Sequence, residues 1–400
     1  MGNIVIPFAS VIAATLAALL VSQWMAGSSD HIVDRGRLKT IDGLRAFLAL
    51  WVLFAHFPVA WGMAKTGVWS AESSVWPLRN FAVVAVTAFF MITGMLFYGK
   101  IRRESDLISW RELYIGRLRR LVPMYAATIT LMIILIFSYT GWEVRSTIPR
   151  LFMALGAWGL FTIPGNPPIN NYENTRYVVA GVIWTLRYEW LFYLLLPALA
   201  VFFKRKSVSR NKAIVTLTLF ITALSVLPDT SIFWLRPKLL IPFLFGMVAY
   251  EIAGKPEWTR HLRGKAATFA IIISIVLALL SSPVGYTVTR FILVFCAFAC
   301  IASGNSIGGV LLSKGARLLG DASYSVYLLH GIFLSILFHA APAVGINLST
   351  SAIWAALPII SLAVASISIF TYRNIELRFM RTPGKQACPP KLGKQVVNRV

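Results

Sequence analysis

Long apolar stretches recur along the chain and restrict what it can fold into. They run from 16 to 26 residues, against the length of about 20 residues that an α-helix needs to cross a membrane. Eleven are predicted to be transmembrane helices: residues 4–25, 42–63, 80–99, 121–140, 178–203, 213–228, 237–252, 266–281, 286–303, 321–340 and 352–372. Charged residues make up 13% of the sequence, whereas soluble domains average about 25%. The sequence therefore predicts an all-α, polytopic membrane helix bundle.

The basic residues are distributed unevenly between these helices. The chain carries 38 Lys and Arg against 15 Asp and Glu, a balance typical of nucleic-acid-binding proteins, but the apolar composition argues against a nucleic-acid partner. A shorter apolar stretch, residues 151–163, is interpreted as re-entrant or interfacial because a Pro- and Gly-rich run follows it. With that assignment, 28 of the 38 basic residues fall on one side of the membrane, 8 on the other and 2 within spans. The side with 28 is predicted to be cytoplasmic, with the N-terminus outside and the C-terminus in the cytoplasm.

Two flanking segments are predicted to lie outside the main membrane domain. Residues 1–30 contain the first apolar helix and lack the basic N-terminal region of a cleaved signal peptide, so an uncleaved transmembrane helix is expected. Residues 382–400 are rich in proline and basic residues and are expected to form a disordered cytoplasmic tail. The membrane domain itself is predicted to extend over residues 31–381.

Ionisable residues are rare within the predicted spans, where each costs about 2.5 to 3.5 kcal/mol to insert and marks a functional candidate. Arg45 and His56 lie in the second span, and their spacing places them on one helix face, about 16 Å apart. Glu189 and His330 lie in two later spans. Structural interpretations are also open: Arg45 can extend to the headgroups, and His56 can bond a neighbouring helix. Glu189 can be protonated or pair with a cation, and His330 can pack among aromatic residues.

The segment from Lys100 to Arg120 is the most basic in the chain and is predicted to be a cytoplasmic loop. Its Arg residues can simply orient the protein beside anionic lipid. Alternatively, the guanidinium groups of Arg117, Arg119 and Arg120 suit bidentate binding of the phosphates of a nucleotide-containing cofactor. The sequence has no Gly-rich phosphate loop, so nucleotide hydrolysis is not expected. The three Cys and five His residues have no metal-site spacing, and no metal is expected.

Several short motifs follow one another along the chain, beginning with Ile41-Asp42-Gly43-Leu44-Arg45 and with His56 after ten further residues. The others are Phe89-Phe90-Met91-Ile92-Thr93-Gly94-Met95-Leu96, Arg117-x-x-Arg120 before Pro123, Trp184 to Tyr193, Phe243 to Gly246, Gly320 to His330, and Asn374-Ile375-Glu376. In this order they resemble the motifs of the acyltransferase-3 family of polytopic membrane O-acyltransferases, over about residues 38 to 380. The first apolar helix and Arg187-Tyr188 depart from the family pattern. The eleven spans thus correspond to ten of the family and one extra N-terminal helix.

The resemblance implies transfer of an acyl group, commonly acetyl from acetyl-CoA, to a hydroxyl of an extracytoplasmic or lipid-linked saccharide. No metal takes part, and the protein is expected in a bacterial inner membrane, with membrane lipid, acyl-CoA and the saccharide as partners. The resemblance implies catalytic roles for His56, Arg45 and Glu189, and binding of the acyl-CoA by Arg117 and Arg120. Further candidates for active-site or structural roles are Asp42, Trp184, Tyr324 and His330.

The chemistry of acyl transfer agrees with a His in this position. A saccharide hydroxyl is a poor nucleophile at neutral pH, so a base within hydrogen-bond reach is needed, and the neutral imidazole of His56 can accept the proton. The acyl carbonyl develops negative charge, which a nearby Arg can stabilise.

A secondary transporter or flippase for a glycan or small anionic solute is the alternative, because such proteins also use intramembrane Glu, His and Arg. Transporters often have two related halves with broken helices in matching positions. The sequence shows no such internal repeat, so acyl transfer is the preferred hypothesis.

Overall fold

The computed structural model describes residues 5–27, 38–70, 75–104, 107–203, 208–231, 235–282, 285–343 and 350–380. Within these residues the protein is helical and contains no β-strand, as predicted; one isolated β-bridge joins Ile169 and Tyr172. The α-helices in chain order are α1 (Val5–Met25), α2 (Lys39–Thr66), α3 (Asn80–Glu104), α4 (Trp110–Tyr139), α5 (Ile148–Gly159), α6 (Thr175–Val178), α7 (Trp184–Phe202), α8 (Arg210–Val226), α9 (Ile241–Ala253), α10 (Pro256–Leu262), α11 (Lys265–Leu280), α12 (Val288–Ala302), α13 (Lys314–Asp321), α14 (Ser323–Ala343), α15 (Thr350–Thr371) and α16 (Leu377–Met380).

In the described part of the chain, six helices are long and apolar enough to cross a membrane. They are α1, α2, α3, α4, α7 and the continuous run Ala352–Met380. Two bent pairs, α9 with α10 and α13 with α14, raise the number to eight if each pair is one span. The predicted eleven spans are not confirmed, because α8, α11 and α12 have only 17, 16 and 15 residues, fewer than the usual span of about 20.

The predicted loop from Lys100 to Arg120 is wrong. Helix α3 continues to Glu104, and α4 begins at Trp110, with Ser109 accepting a hydrogen bond from the backbone N–H of Glu112 as an N-cap. That cap and the acidic first turn stabilise the helix start. The arginines at 117 and 120 therefore lie on a helix and have fixed directions.

Helix α7 begins six residues later than the predicted span 178–203. Ala180 and Gly181 have φ angles of 51° and 68°, in the left-handed region that interrupts a right-handed helix.

The segment interpreted as re-entrant or interfacial forms α5, a 12-residue helix of about 18 Å, which is too short to cross a hydrocarbon core of about 30 Å.

Helix α1 packs against α13 and α15, although it lies outside the motifs. Its buried face is a stripe of small residues at four-residue spacing, Ser10, Ala14, Ala18 and Ser22, which allows close helix contact within a membrane. The side chain of Gln23 accepts a hydrogen bond from the backbone N–H of Gly315 at 2.8 Å. The division of the chain at residues 30 and 381 stays a prediction, and residues 382–400 lie outside the described residues.

Glycines of the family-like motifs allow neighbouring helices to approach closely. A Cβ atom at Gly320 would lie 1.7 Å from the carbonyl oxygen of Asp42, and one at Gly94 would lie 2.1 Å from that of Phe243. Larger residues would force these backbones apart. Gly320 lies at the end of α13, directly before α14, so its contact places the start of α14 beside the start of α2 and positions the site described below.

A buried ion cluster fixes α3, α8 and α9 at one end of the bundle. Glu251 is fully buried and pairs with Arg102 at 2.7 Å and with Arg210 at 2.8 Å, and Tyr98 donates a hydrogen bond to it at 2.7 Å. A buried carboxylate needs such partners to offset desolvation. Two arginines counted above as orientation signals thus also have a structural role.

Candidate active site

Two helices with the same direction, α2 and α14, carry the site. Along each helix, in chain order, residues first line one cavity, then one histidine belongs to a hydrogen-bonded pair, and then residues line a second cavity. The residues concerned are Arg45, His56 and Ala60 in α2, and Tyr327, His330 and Ser335 in α14. The histidine pair therefore lies between the two cavities.

The first cavity, here called the arginine cavity, is lined by side chains of α2, α3, α4, α7 and α14. Its described lining residues include three guanidinium groups and one carboxylate: Arg45, Arg117, Arg120 and Glu189. Glu189 interacts electrostatically with all three arginines and accepts hydrogen bonds from Thr93 at 3.3 Å and Tyr193 at 3.4 Å. The lining has a net positive charge, which suits an anionic ligand.

The helical conformation of α4 separates the three arginines that follow one another in the sequence. Arg117 and Arg120 are three positions apart, on one helix face, and both line the cavity. Arg119 points away and is exposed. Arg117 also lies over the ring of Phe97, 5.0 Å from its centroid, and hydrogen-bonds Tyr193. These contacts hold its guanidinium group in place.

His56 and His330 form a direct hydrogen bond, with 3.0 Å between His56 Nδ1 and His330 Nε2. Their ring planes are nearly parallel, at 5°. The other ring nitrogen of His330, Nδ1, lies 3.1 Å from the carbonyl oxygen of Val326. A carbonyl can only accept, so Nδ1 of His330 carries hydrogen, and Nε2 of the neutral ring accepts from Nδ1–H of His56. The lone pair of the neutral His56 is then on Nε2, where it can accept a proton.

The second cavity, here called the aromatic cavity, begins beyond the histidine pair. Its described lining includes Trp69, Tyr172, Asn174, Tyr177, Ser335 and His339, and no Asp, Glu, Lys or Arg. Trp69 stacks on Tyr177, with 4.9 Å between ring centroids, and its ring centroid lies 5.9 Å from that of His56. The sequence arguments did not identify this cavity, because its wall comes from a segment outside the motifs.

The structure brings most of the predicted site residues together, in two groups. Arg45, Arg117, Arg120, Glu189 and Tyr324 line the arginine cavity, and His56 with His330 forms the pair. His330 is fully buried and bonded to another His, which goes beyond packing among aromatic residues.

Asp42 and Trp184 do not line either cavity. The carbonyl oxygen of Asp42 lies at the close contact with Gly320. Trp184 contacts the rings of Phe90, Tyr188 and Tyr286 edge-on. Both positions suit helix packing. Among the described residues, no three His, Cys, Asp or Glu side chains are grouped as metal ligands.

Glu376 is a buried carboxylate to which the sequence arguments assigned no role. It is fully buried in a π-turn between α15 and α16, and its Oε1 accepts a hydrogen bond from Ser325 at 2.5 Å. It also interacts electrostatically with Arg45 and Arg120. A π-turn in a helix often marks a functional position. The sequence signal was the motif Asn374-Ile375-Glu376, which follows an apolar span.

Comparison with known proteins identifies the family. The family model for the acyltransferase-3 domain, described as "Acyltransferase domain", matches residues 38–372. The chain belongs to this family. Together with the apolar helices, the membership indicates an integral membrane protein. The match begins at the start of α2 and includes both cavities and the histidine pair.

Two relatives of the chain carry names that refer to envelope polysaccharides. It is 28% identical over 273 residues to "Exopolysaccharide production protein ExoZ" of Rhizobium meliloti (strain 1021), which covers 66% of this chain and 80% of ExoZ. It is 25% identical over 339 residues to "Putative peptidoglycan O-acetyltransferase YrhL" of Bacillus subtilis (strain 168), covering 72% of this chain and 47% of YrhL.

A third relative is "Nodulation protein 10" of Rhizobium leguminosarum bv. viciae, 27% identical over 188 residues, which cover 45% of this chain and 48% of that protein. The chain thus spans about half the length of two of these three relatives. No solved structure matches it significantly.

Proposed function

We propose that the protein transfers an acyl group, most simply acetyl, from an acyl-CoA to a hydroxyl of a cell-envelope saccharide. The observation that carries this proposal is the pair His56–His330 beside a cavity with three guanidinium groups. Family membership supports acyl transfer. The names of ExoZ and YrhL support a polysaccharide acceptor, and that of YrhL supports acetyl.

The arginine cavity would bind the phosphates of the acyl-CoA. Guanidinium groups form bidentate, charge-assisted hydrogen bonds with phosphate oxygens. Arg45 and His56 are separated by about 16 Å along α2, so an extended thiol arm can lead from the arginines towards the histidine pair. We place this cavity on the cytoplasmic side, where acyl-CoA is available and where the excess of basic residues is predicted.

His56 would act as the general base. Its Nε2 takes the proton from the saccharide hydroxyl while the hydroxyl oxygen attacks the carbonyl carbon of the thioester. The carbon–sulfur bond breaks, and the proton on Nε2 passes to the leaving thiolate, which gives the free thiol of CoA and the ester. Arg45, Arg117 and Arg120 hold the donor, and Glu189 fixes the directions of these guanidinium groups.

We further place the protein in the inner membrane of a bacterium, with the N-terminus outside, the C-terminus in the cytoplasm and α1 as an additional span. Labelling with a membrane-impermeant thiol reagent at single cysteines introduced near each terminus tests this orientation. Both termini reacting from the same side would contradict it.

Reconstitution tests the proposed reaction. The purified full chain in lipid nanodiscs is mixed with radiolabelled acetyl-CoA and with envelope polysaccharide from its host. The polysaccharide is first treated with mild base, which hydrolyses its existing ester groups. The expected result is base-labile label on the polysaccharide and release of one CoA thiol for each ester formed. A transporter would leave both compounds unchanged, and that result would overturn the proposal.

A further inference from the structure

The aromatic cavity is not used by the donor-binding and proton-transfer steps described above. It lies beyond the histidine pair, since its α2 and α14 lining residues, Ala60 to Gly67 and Gly331 to His339, follow His56 and His330 in the chain. We propose that this cavity binds the acceptor as an uncharged saccharide unit. This inference rests on the proposed acyl transfer and names where the second substrate binds.

The chemistry of the lining favours a sugar ring. Trp69 and Tyr177 stack on each other and form one aromatic wall, to which Tyr172 adds a third ring. The C–H groups of a pyranose ring pack favourably against aromatic surfaces, whose π-faces carry partial negative charge. Ser335 and Asn174 in the same cavity can exchange hydrogen bonds with sugar hydroxyls. No described lining residue is charged. The guanidinium group of Arg176 lies outside this lining, 4.5 Å from the ring centroid of Tyr177 and bonded to its hydroxyl, so the lining itself presents rings and neutral polar groups to a ligand.

The position of Trp69 places such a sugar next to the base. Its ring centroid lies 5.9 Å from that of His56 and 4.9 Å from that of Tyr177. A sugar packed against this wall therefore has a hydroxyl within one ring width of the histidine pair. This is the location that proton abstraction by His56 requires.

The wall that carries Tyr172 and Tyr177 is held in a defined conformation. Asn170, buried behind it, donates through Nδ2 to Thr140 Oγ1 at 2.9 Å and to the Glu143 carbonyl at 2.7 Å. Its Oδ1 accepts from the backbone N–H of Arg145 at 2.7 Å. A preformed wall reduces the entropy lost when a ligand binds.

A lipid acyl chain is the other occupant to test. A separate cleft between α2, α3, α11 and α12 is lined throughout by apolar residues, among them Leu44, Phe47 and Ile271, as expected for an acyl chain. The aromatic cavity differs, because it combines rings with hydroxyl and amide groups. This difference favours a saccharide.

The test measures acceptor and donor kinetics separately in nanodiscs that contain the full chain. The acceptor is the base-treated envelope polysaccharide and the donor is acetyl-CoA. In Trp69→Ala, KM for the polysaccharide is expected to rise about tenfold, as for an aromatic residue central to a binding site, while KM for acetyl-CoA stays unchanged. Tyr177→Phe, which keeps the ring, is expected to retain most of the affinity, and Tyr177→Ala to lose it. Trp61→Ala is the matched control, because Trp61 is a tryptophan near the end of α2, shortly before Trp69 in the chain, and does not line the cavity.

Binding without turnover separates this inference from the proposed reaction. Saturation-transfer NMR with oligosaccharides released from the same polysaccharide should show contacts to the unaltered protein and to Trp61→Ala, and weaker contacts to Trp69→Ala. Bound oligosaccharide without acyl transfer would contradict the proposed function and leave the saccharide site standing. Equal NMR contacts in Trp69→Ala and the unaltered protein, or an acetyl-CoA KM that rises as much as that of the polysaccharide, would overturn the saccharide site. So would displacement of the oligosaccharides by a saccharide-free lipid.

Discussion

The arginine cavity and the aromatic cavity lie on the same two helices and differ in charge. Three guanidinium groups and a carboxylate line the first, whereas the described lining of the second has no charged side chain. Helices α2 and α14 contribute to both, and α2 supplies Arg45 to the first, but the other charged groups come from the other walls. Helices α4 and α7 supply Arg117, Arg120 and Glu189 at one end, and residues 172–180 supply aromatic rings at the other.

The contrast in charge is a physical means by which one helix bundle can keep two substrates apart. A phosphate-bearing donor would be stabilised among the arginines and would lose its hydration without gaining an ionic partner among the residues that line the aromatic cavity. A neutral saccharide gains contact area among aromatic rings. In the proposed reaction, the histidine pair between the cavities would contact the donor on one side and the acceptor on the other.

The largest expected effect concerns the pair itself. In His56→Ala, kcat for acyl transfer is expected to fall about 10³-fold, because general-base catalysis contributes about 10² to 10⁴-fold. Binding of acetyl-CoA and of oligosaccharide should stay within a factor of about two of the unaltered protein, since His56 lines neither cavity. If His56→Ala transfers acyl groups at nearly the rate of the unaltered protein, His56 is not the general base. The two cavities would then have no shared catalytic residue.

The second prediction separates the two cavities directly. Arg117→Ala removes a guanidinium group from the arginine cavity. Because a charge-assisted hydrogen bond is lost, KM for acetyl-CoA is expected to rise about 10- to 100-fold. KM for the polysaccharide should not change. Arg119→Ala is the matched control: it lies two positions away on the same helix and is exposed. An equal effect of the two substitutions would mean that overall positive charge matters and not the cavity.

The third prediction concerns His330, which hydrogen-bonds His56 and is expected to act through it as a positioning residue. In His330→Ala, kcat is expected to fall about 10- to 100-fold, as for partners that orient a reacting group, with both KM values little changed. His330→Gln can still accept a hydrogen bond from His56 Nδ1 and should recover part of the rate. Failure of the Gln variant to exceed the Ala variant would show that the hydrogen bond at 3.0 Å does not set the tautomer.

The sequence predicted the helices well where apolar runs and caps agree. The predicted start of the span at 352 agrees with α15, and the predicted end at 25 agrees with the end of α1. It failed at α4, where basic residues suggested a loop although their spacing continues a helix. It also failed at α7, because the left-handed backbone at Ala180 is a local conformation that a hydropathy pattern does not contain.

The candidate site was predictable only within single helices. The three-residue spacing of Arg117 and Arg120 predicts a shared face, and the structure places both in one cavity. The bond between His56 and His330 joins residues 274 positions apart, so it depends on which helices become neighbours in the tertiary structure. The aromatic cavity was missed for the same reason.

The smallest expected effect tests whether electrostatics governs the arginine cavity. Glu376 interacts with Arg45 and Arg120 without lining the cavity. In Glu376→Gln one negative charge is lost while the acceptor for Ser325 remains, so the arginines attract phosphate more strongly. KM for acetyl-CoA is therefore expected to fall about threefold at low salt, and less at high salt because ions screen the interaction. KM for the polysaccharide should not change.

The control for this prediction is Glu104→Gln, which removes an exposed carboxylate that pairs with Lys100 at 3.6 Å and lies outside the cavity. It should leave both KM values unchanged, because solvent screens exposed charges. A rise in the acetyl-CoA KM of Glu376→Gln would mean that the carboxylate orients the arginines more than it weakens their attraction for phosphate. An equal fall of both KM values would contradict the separation of the two cavities, since a change of charge near one cavity would then affect the neutral substrate as well.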